Sequence, residues 1–89
     1  MIRREIIIRN RHGLHARPAA QFVKIAASSQ CEVWVEKDSS RVNGKSIMGM
    51  MLLSAEQGAR ITIEVSGPDE KDVWDRLNEL VASRFHEDA

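Results

Sequence analysis

Net charge is the first thing this chain of 89 residues lacks: 13 Lys and Arg offset 13 Asp and Glu. A general nucleic-acid binder carries a strong basic excess, and strand-stacking platforms need more rings than the two Trp and two Phe found here. The single Cys31 cannot close an intrachain disulfide, and one cysteine is no zinc site. The longest unbroken run of apolar residues and glycine, Ile47 to Leu53, is seven residues. A membrane-spanning helix needs about 20. The opening Met-Ile-Arg-Arg-Glu followed by three isoleucines is too short for a signal-peptide core, so a cytoplasmic protein is expected. No linker, repeat or low-complexity run interrupts the chain, and this length gives one domain, residues 1–89, with one core.

What is present is an ordinary globular balance, 43% apolar and 29% charged. The charge is uneven. Residues 1–20 hold five arginines and one acid, while residues 54–89 balance at −5. The basic start fits either a local anion site or arginines that solvate a strand edge.

Ile6 and Ile8 alternate with Glu5, Ile7 and Arg9 as a first strand. Asn10 to Gly13 is a polar loop. Ala19, Phe22, Val23 and Ala26 fall at i, i+3, i+4 and i+7, which predicts an amphipathic helix over Ala16 to Ala27. Cys31, Val33 and Val35 mark a second strand, with Cys31 as a small core residue. A turn at Asp38-Ser39-Ser40 leads to a short third strand from Arg41. Ser46 to Leu53 is a short helix candidate. Ile61, Ile63 and Val65 mark a fourth strand. After Ser66-Gly67-Pro68, Asp69 is a helix N-cap, and Val73, Leu77, Leu80 and Val81 line one face, with Trp74 beside it. Two i,i+4 pairs, Lys71 with Asp75 and Asp72 with Arg76, support that helix. Such an order makes an α+β layer, one sheet with helices on one face.

The segment Gly13-Leu14-His15-Ala16-Arg17-Pro18-Ala19-Ala20 carries the chemistry. His15 sits where the polar loop meets the first helix. Pro18 is tolerated there because first-turn amides have no intrahelical acceptor. Those same amides and the positive end of the helix dipole favour an anion. Arg17 adds a fixed planar cation. A neutral imidazole nitrogen can attack phosphorus, and Arg17 with the amides would hold the transferred charge. The competing reading is that His15 merely caps the helix. His12 lies three residues earlier, but no third ligand is placed for a metal, so it reads as a loop side chain.

The second segment is Asn43-Gly44-Lys45-Ser46-Ile47-Met48-Gly49-Met50-Met51-Leu52-Leu53. Ser46 is a natural N-cap. On a helical wheel Met50 and Leu53 share one side, assigned to the core. That leaves Ile47, Met48 and Met51 exposed, with Leu52 at their edge. Exposed, flexible methionines mark a docking surface that suits several partners. A phosphate on Ser46 would be welcome at a helix N-terminus and would place about two negative charges beside the patch.

Together these segments resemble the HPr family, the small histidine phosphocarriers of the bacterial phosphoenolpyruvate-dependent phosphotransferase system. Gly13-Leu14-His15-Ala16-Arg17-Pro18-Ala19 is similar to its active-site signature, and Lys45-Ser46-Ile47-Met48-Gly49 to its regulatory-serine signature. The resemblance implies an open-faced β-sandwich, four antiparallel strands with three helices on one face in the order βαββαβα. It implies phosphorylation of His15 at Nδ1, with Arg17 stabilising the phosphoryl group. Enzyme I would be the donor, an enzyme IIA domain the acceptor, and an HPr kinase/phosphorylase would modify Ser46. His12, Ala16, Ala20, Lys24, Lys45, Ile47, Met48, Met51 and Leu52 would meet those partners. No cofactor, metal, membrane or nucleic acid is implied, and nothing demands a dimer. The second segment is also similar to the nitrogen-related, NPr-like branch. Two other classes stand beside the carrier. A phosphohydrolase would need a general acid near His15, and none is close in sequence. A purely regulatory module would use Ser46 and the apolar patch with His15 silent.

Overall fold

A computed structural model describes residues 1–87. The strands are β1 (Ile2–Ile7), β2 (Glu32–Lys37), β3 (Ser40–Asn43) and β4 (Arg60–Ser66). The helices are α1 (Ala16–Ala27), α2 (Ile47–Leu52) and α3 (Glu70–Ala82), with a 3₁₀ turn at Arg84–His86. The four strands form one antiparallel sheet in the order β1-β4-β2-β3. Val33, Val35, Ile61, Ile63 and Val65 point to one face and are fully buried. Phe22, Ala26, Met50, Val73, Leu77 and Val81 come down onto that face from the helices. The expected open-faced α+β sandwich is the observed one.

Its other face is charged. Cross-strand register sets Arg3 opposite Glu64 and Arg41 opposite Glu36. Arg3 donates to Glu36 at 2.8 Å and to Glu64 at 3.1 Å. Arg41 closes the ring on both acids and stacks 4.8 Å from the Trp34 ring. Hydrogen bonds from Arg3 hold the Glu36 carboxyl down at about 2, and those from Arg41 lower Glu64 as well.

The structure departs from the sequence reading at β1, at Asp69 and at one ion pair of α3. β1 begins at Ile2 and ends at Ile7, so fully buried Ile8 lies beyond it, still bonded through its N–H to the Ala59 carbonyl at 2.9 Å. The run Arg3-Arg4-Glu5 hid the strand. Arg4 nevertheless takes a helix-side position opposite Ile63, where it lies 5.6 Å from the Trp74 ring. Position 69 is the N-cap of α3, but its side chain makes no cap bond. The Asp69 carboxylate instead accepts from the Cys31 thiol at 2.8 Å and the Gln30 amide at 3.4 Å. Burial first, and Asp69 second, push the Cys31 thiol up, which keeps this core cysteine protonated. Of the i,i+4 pairs, Lys71–Asp75 closes at 3.3 Å, and Asp72 and Arg76 form no ion pair among the described residues.

Gly13 locks the loop before α1. Its φ is +67°, and a Cβ there would collide with the Ala55 carbonyl oxygen and lie 2.7 Å from Glu56 Cα. The following amide, Leu14, donates to that same Ala55 oxygen at 2.8 Å. This pins the entry to α1 against the chain that follows α2.

Candidate functional site

His15 is the N-cap residue of α1, with extended backbone and no side-chain cap bond. The cap reading of His15 is therefore met by the backbone alone; the ring is exposed and makes no cap bond. Pro18 has no N–H, and Ala19 donates to the His15 carbonyl at 3.0 Å. The amides of Ala16 and Arg17 have, among the described residues, no protein acceptor. No acid lies in the first turn of α1. The exposed Arg17 guanidinium forms no ion pair among the described residues, nor do Arg9 and Arg11. The basic start thus divides: Arg3 and Arg4 serve the sheet, and the arginines around His15 stay free.

His12 is exposed, its ring edge-on to His15 with centroids 5.8 Å apart. No metal-binding group of His, Cys, Asp and Glu occurs among the described residues. Ala16, Ala20 and Lys24 are exposed along one line of α1, spaced four residues apart. α1 packs against α2, which carries the apolar patch. Ile47 and Met51 are 43% exposed and Met48 and Leu52 75%, against 0% for Met50 and 4% for Leu53. These values separate the two sides of α2 as the helical wheel does, with Leu52 more open than an edge residue. Ser46 caps α2, its hydroxyl accepting from the Gly49 amide at 3.0 Å. Lys45 is half-buried and donates to the Ser29 carbonyl at 3.4 Å, so its ammonium lies back over the fold.

Two residues at the site were missed from sequence. Asn10 is the one fully buried polar side chain among the described residues; its Nδ2 donates to the Gly13 carbonyl at 2.7 Å and braces the loop. An Asn three residues before a Gly at a loop's end was the available signal. Glu87 is the other. His15 Nε2 and Glu87 Oε2 lie 3.2 Å apart. A contact spanning 72 residues of sequence leaves no local trace. Arg84, Phe85 and His86 all adopt positive φ, 59°, 55° and 59°, in the turn that brings Glu87 back. Left-handed backbone costs about 1 kcal/mol per residue. Phe85, 1% exposed, anchors the turn in the core.

A family model described as the PTS HPr component phosphorylation site matches residues 2–83. The chain belongs to the HPr family. It is 45% identical over 87 residues to the phosphocarrier protein HPr of Neisseria meningitidis serogroup A, covering 98% of each chain. It is 40% identical to the HPr-like protein Crh of Bacillus subtilis, covering 86% of this chain and 91% of Crh. The crystal structure of HPr-C-His from Thermoanaerobacter tengcongensis superposes with a TM-score of 0.95, at 44% identity and full coverage of both chains. As an HPr-type protein it is a phosphocarrier of the phosphotransferase system and not an enzyme. No described helix is long and apolar enough to cross a membrane.

Proposed function

We propose that His15 is the phosphoacceptor and that the chain acts as a monomeric cytoplasmic relay between enzyme I and an enzyme IIA domain. One observation carries this reading: an exposed imidazole stands at the N-terminus of a helix whose first-turn amides lack acceptors and whose first turn lacks any acid. The Nδ1 atom attacks the phosphorus carried by enzyme I, which phosphoenolpyruvate has charged. The Ala16 and Arg17 amides and the Arg17 guanidinium take up the negative charge. The product is consumed by an enzyme IIA domain and the ring is regenerated, so no substrate pocket is needed. The exposed line Ala16, Ala20 and Lys24 with Ile47, Met48, Met51 and Leu52 forms the docking face, and His12 borders it. Lys45 contributes its field rather than a reaching side chain.

Ser46 is the regulatory site of an HPr kinase/phosphorylase in this reading. The hydroxyl already sits at the N-terminus of α2, where phosphate oxygens can replace it as acceptor for the Gly49 amide. Added charge beside the patch then weakens docking to acidic partners. The identity to Crh keeps a second reading in view, a regulatory module that works through Ser46 and the patch with His15 silent.

Purified chain mixed with enzyme I, Mg²⁺ and phosphoenolpyruvate, followed by intact mass, tests the proposal. One acid-labile phosphate is expected on the wild type and none on His15→Ala. Absence of uptake with partner binding intact would favour the regulatory module. Rapid catalysed loss of the phosphate would favour a phosphohydrolase. Parallel transfer to sugar-branch and nitrogen-branch enzyme IIA domains assigns the branch.

A further inference from the structure

We propose that Glu87 is a positioning residue for His15: its carboxylate holds the proton on Nε2 and so leaves the Nδ1 lone pair free for phosphorus. This rests on the reading of His15 as phosphoacceptor. Neutral imidazole carries one proton, and the nitrogen without it is the nucleophile. A carboxylate accepts hydrogen bonds and donates none when ionised, so the nitrogen facing Glu87 Oε2 at 3.2 Å is the protonated one. The remaining nitrogen, Nδ1, is the one nearer the main chain of α1.

The contact is built, not incidental. Glu87 keeps only 18% of its side chain exposed, against 43% for His15. The same Oε2 lies 3.5 Å from Nδ2 of buried Asn10, which ties the carboxylate to the loop that Gly13 closes. Three consecutive left-handed residues and the buried Phe85 ring turn the chain so that it reaches His15. Backbone strain of this kind persists where the surrounding packing holds it, and it clusters at functional sites. The other titratable groups near the ring are His12, edge-on at 5.8 Å, and Arg17 in the first turn. Neither competes for Nε2 among the described hydrogen bonds.

During transfer the Nδ1 lone pair forms the N–P bond. The donor's own bond to phosphorus breaks, and its electron pair returns to the donor. Nε2 keeps its proton, so the ring becomes an imidazolium, and the Glu87 carboxylate balances that charge on the side away from the phosphate. The reverse assignment of electrons operates when the phosphoryl group moves on.

Glu87→Ala and Glu87→Gln test this alongside wild type, with two readouts: ring ¹⁵N NMR of unphosphorylated His15, and the initial rate of phosphate uptake from phosphoenolpyruvate-charged enzyme I. In wild type the Nε2–H tautomer is expected alone. In Glu87→Ala the Nδ1–H tautomer appears and uptake slows about fivefold, with thermal unfolding unchanged. Glu87→Gln, which keeps an acceptor but loses the charge, falls between. Identical tautomers in wild type and Glu87→Ala would overturn the proposal, as would an unchanged rate. Wild type that takes no phosphate would sink the acceptor reading instead, while the tautomer comparison would still judge Glu87.

Discussion

Two helices of this protein begin after a loop, and their N-termini are treated in opposite ways. At α3 the positive end of the dipole is answered within the chain. Glu70 and Asp72 lie in the first turn, Glu70 accepts from the Gly67 amide at 3.3 Å, and it pairs with the Met1 amine at 2.8 Å. That amine, and then the Gly67 amide, lower the Glu70 carboxyl. At α1 the first turn holds no acid and two amides lack acceptors, and the carboxylate that does come near, Glu87, meets the His15 ring rather than those amides. An internal acid is worth about 0.5 kcal/mol to a helix. Leaving it out at α1 forgoes that stability and keeps the site open to a phosphoryl group. The same local physics builds a stable end in one place and a receptive end in the other.

The sharpest way to break the contrast is to damage the loop that aims α1. Gly13→Ala forces a Cβ into the Ala55 carbonyl at a positive φ and should cost about 3 kcal/mol or unfold the domain, read as a fall in thermal midpoint. Next, giving α1 the acid that α3 has should reverse its character. Ala16→Asp is expected to raise stability by about 0.5 kcal/mol and to slow phosphate uptake at least tenfold, because the added carboxylate occupies the amides and repels the phosphoryl group. Unchanged uptake would show that the amides take no part.

The contrast was only half legible in sequence. Pro18 and the Gly13-to-Ala20 segment located the start of α1, and helical spacing sorted the faces of α2, because both signals are local. Asp69 looked like a side-chain cap because a composition rule cannot see Cys31 and Gln30 arriving from a distant loop to claim its carboxylate. β1 was read too far along the chain because the charge of Arg3, near its true start, is used across the sheet by Glu36 and Glu64. The Lys45 ammonium has an acceptor that no local pattern shows, a backbone carbonyl 16 residues away. Most of what sequence misses here is a polar group whose partner is remote; Asn10, braced on Gly13 three residues on, is the local exception.

Smaller effects refine the picture. Folded-state values of Glu36, Glu64 and Glu70 lie below the ordinary 4.5, so the unfolded chain binds more protons as pH falls. Their contribution is fully present above about pH 4.5 and is lost progressively toward pH 2, the region of the Glu36 value. Denaturant midpoints measured across that window should fall, and Arg3→Ala should flatten the fall. The smallest stability effect belongs to Ser46→Asp. An aspartate still caps α2, so the thermal midpoint should move by less than about 0.5 kcal/mol equivalent while affinity for enzyme I drops. Equal affinities would remove Ser46 from the regulatory account.

The central claim is that the unanswered amides of α1 receive the phosphoryl group beside His15. Amide ¹H–¹⁵N spectra recorded before and after phosphorylation test it most directly. The account predicts large downfield shifts at Ala16 and Arg17, the phosphorus on His15 Nδ1, and still resonances at Glu70, Lys71 and Asp72. Phosphate on another residue, or unmoved Ala16 and Arg17 amides with His15 phosphorylated, would contradict it.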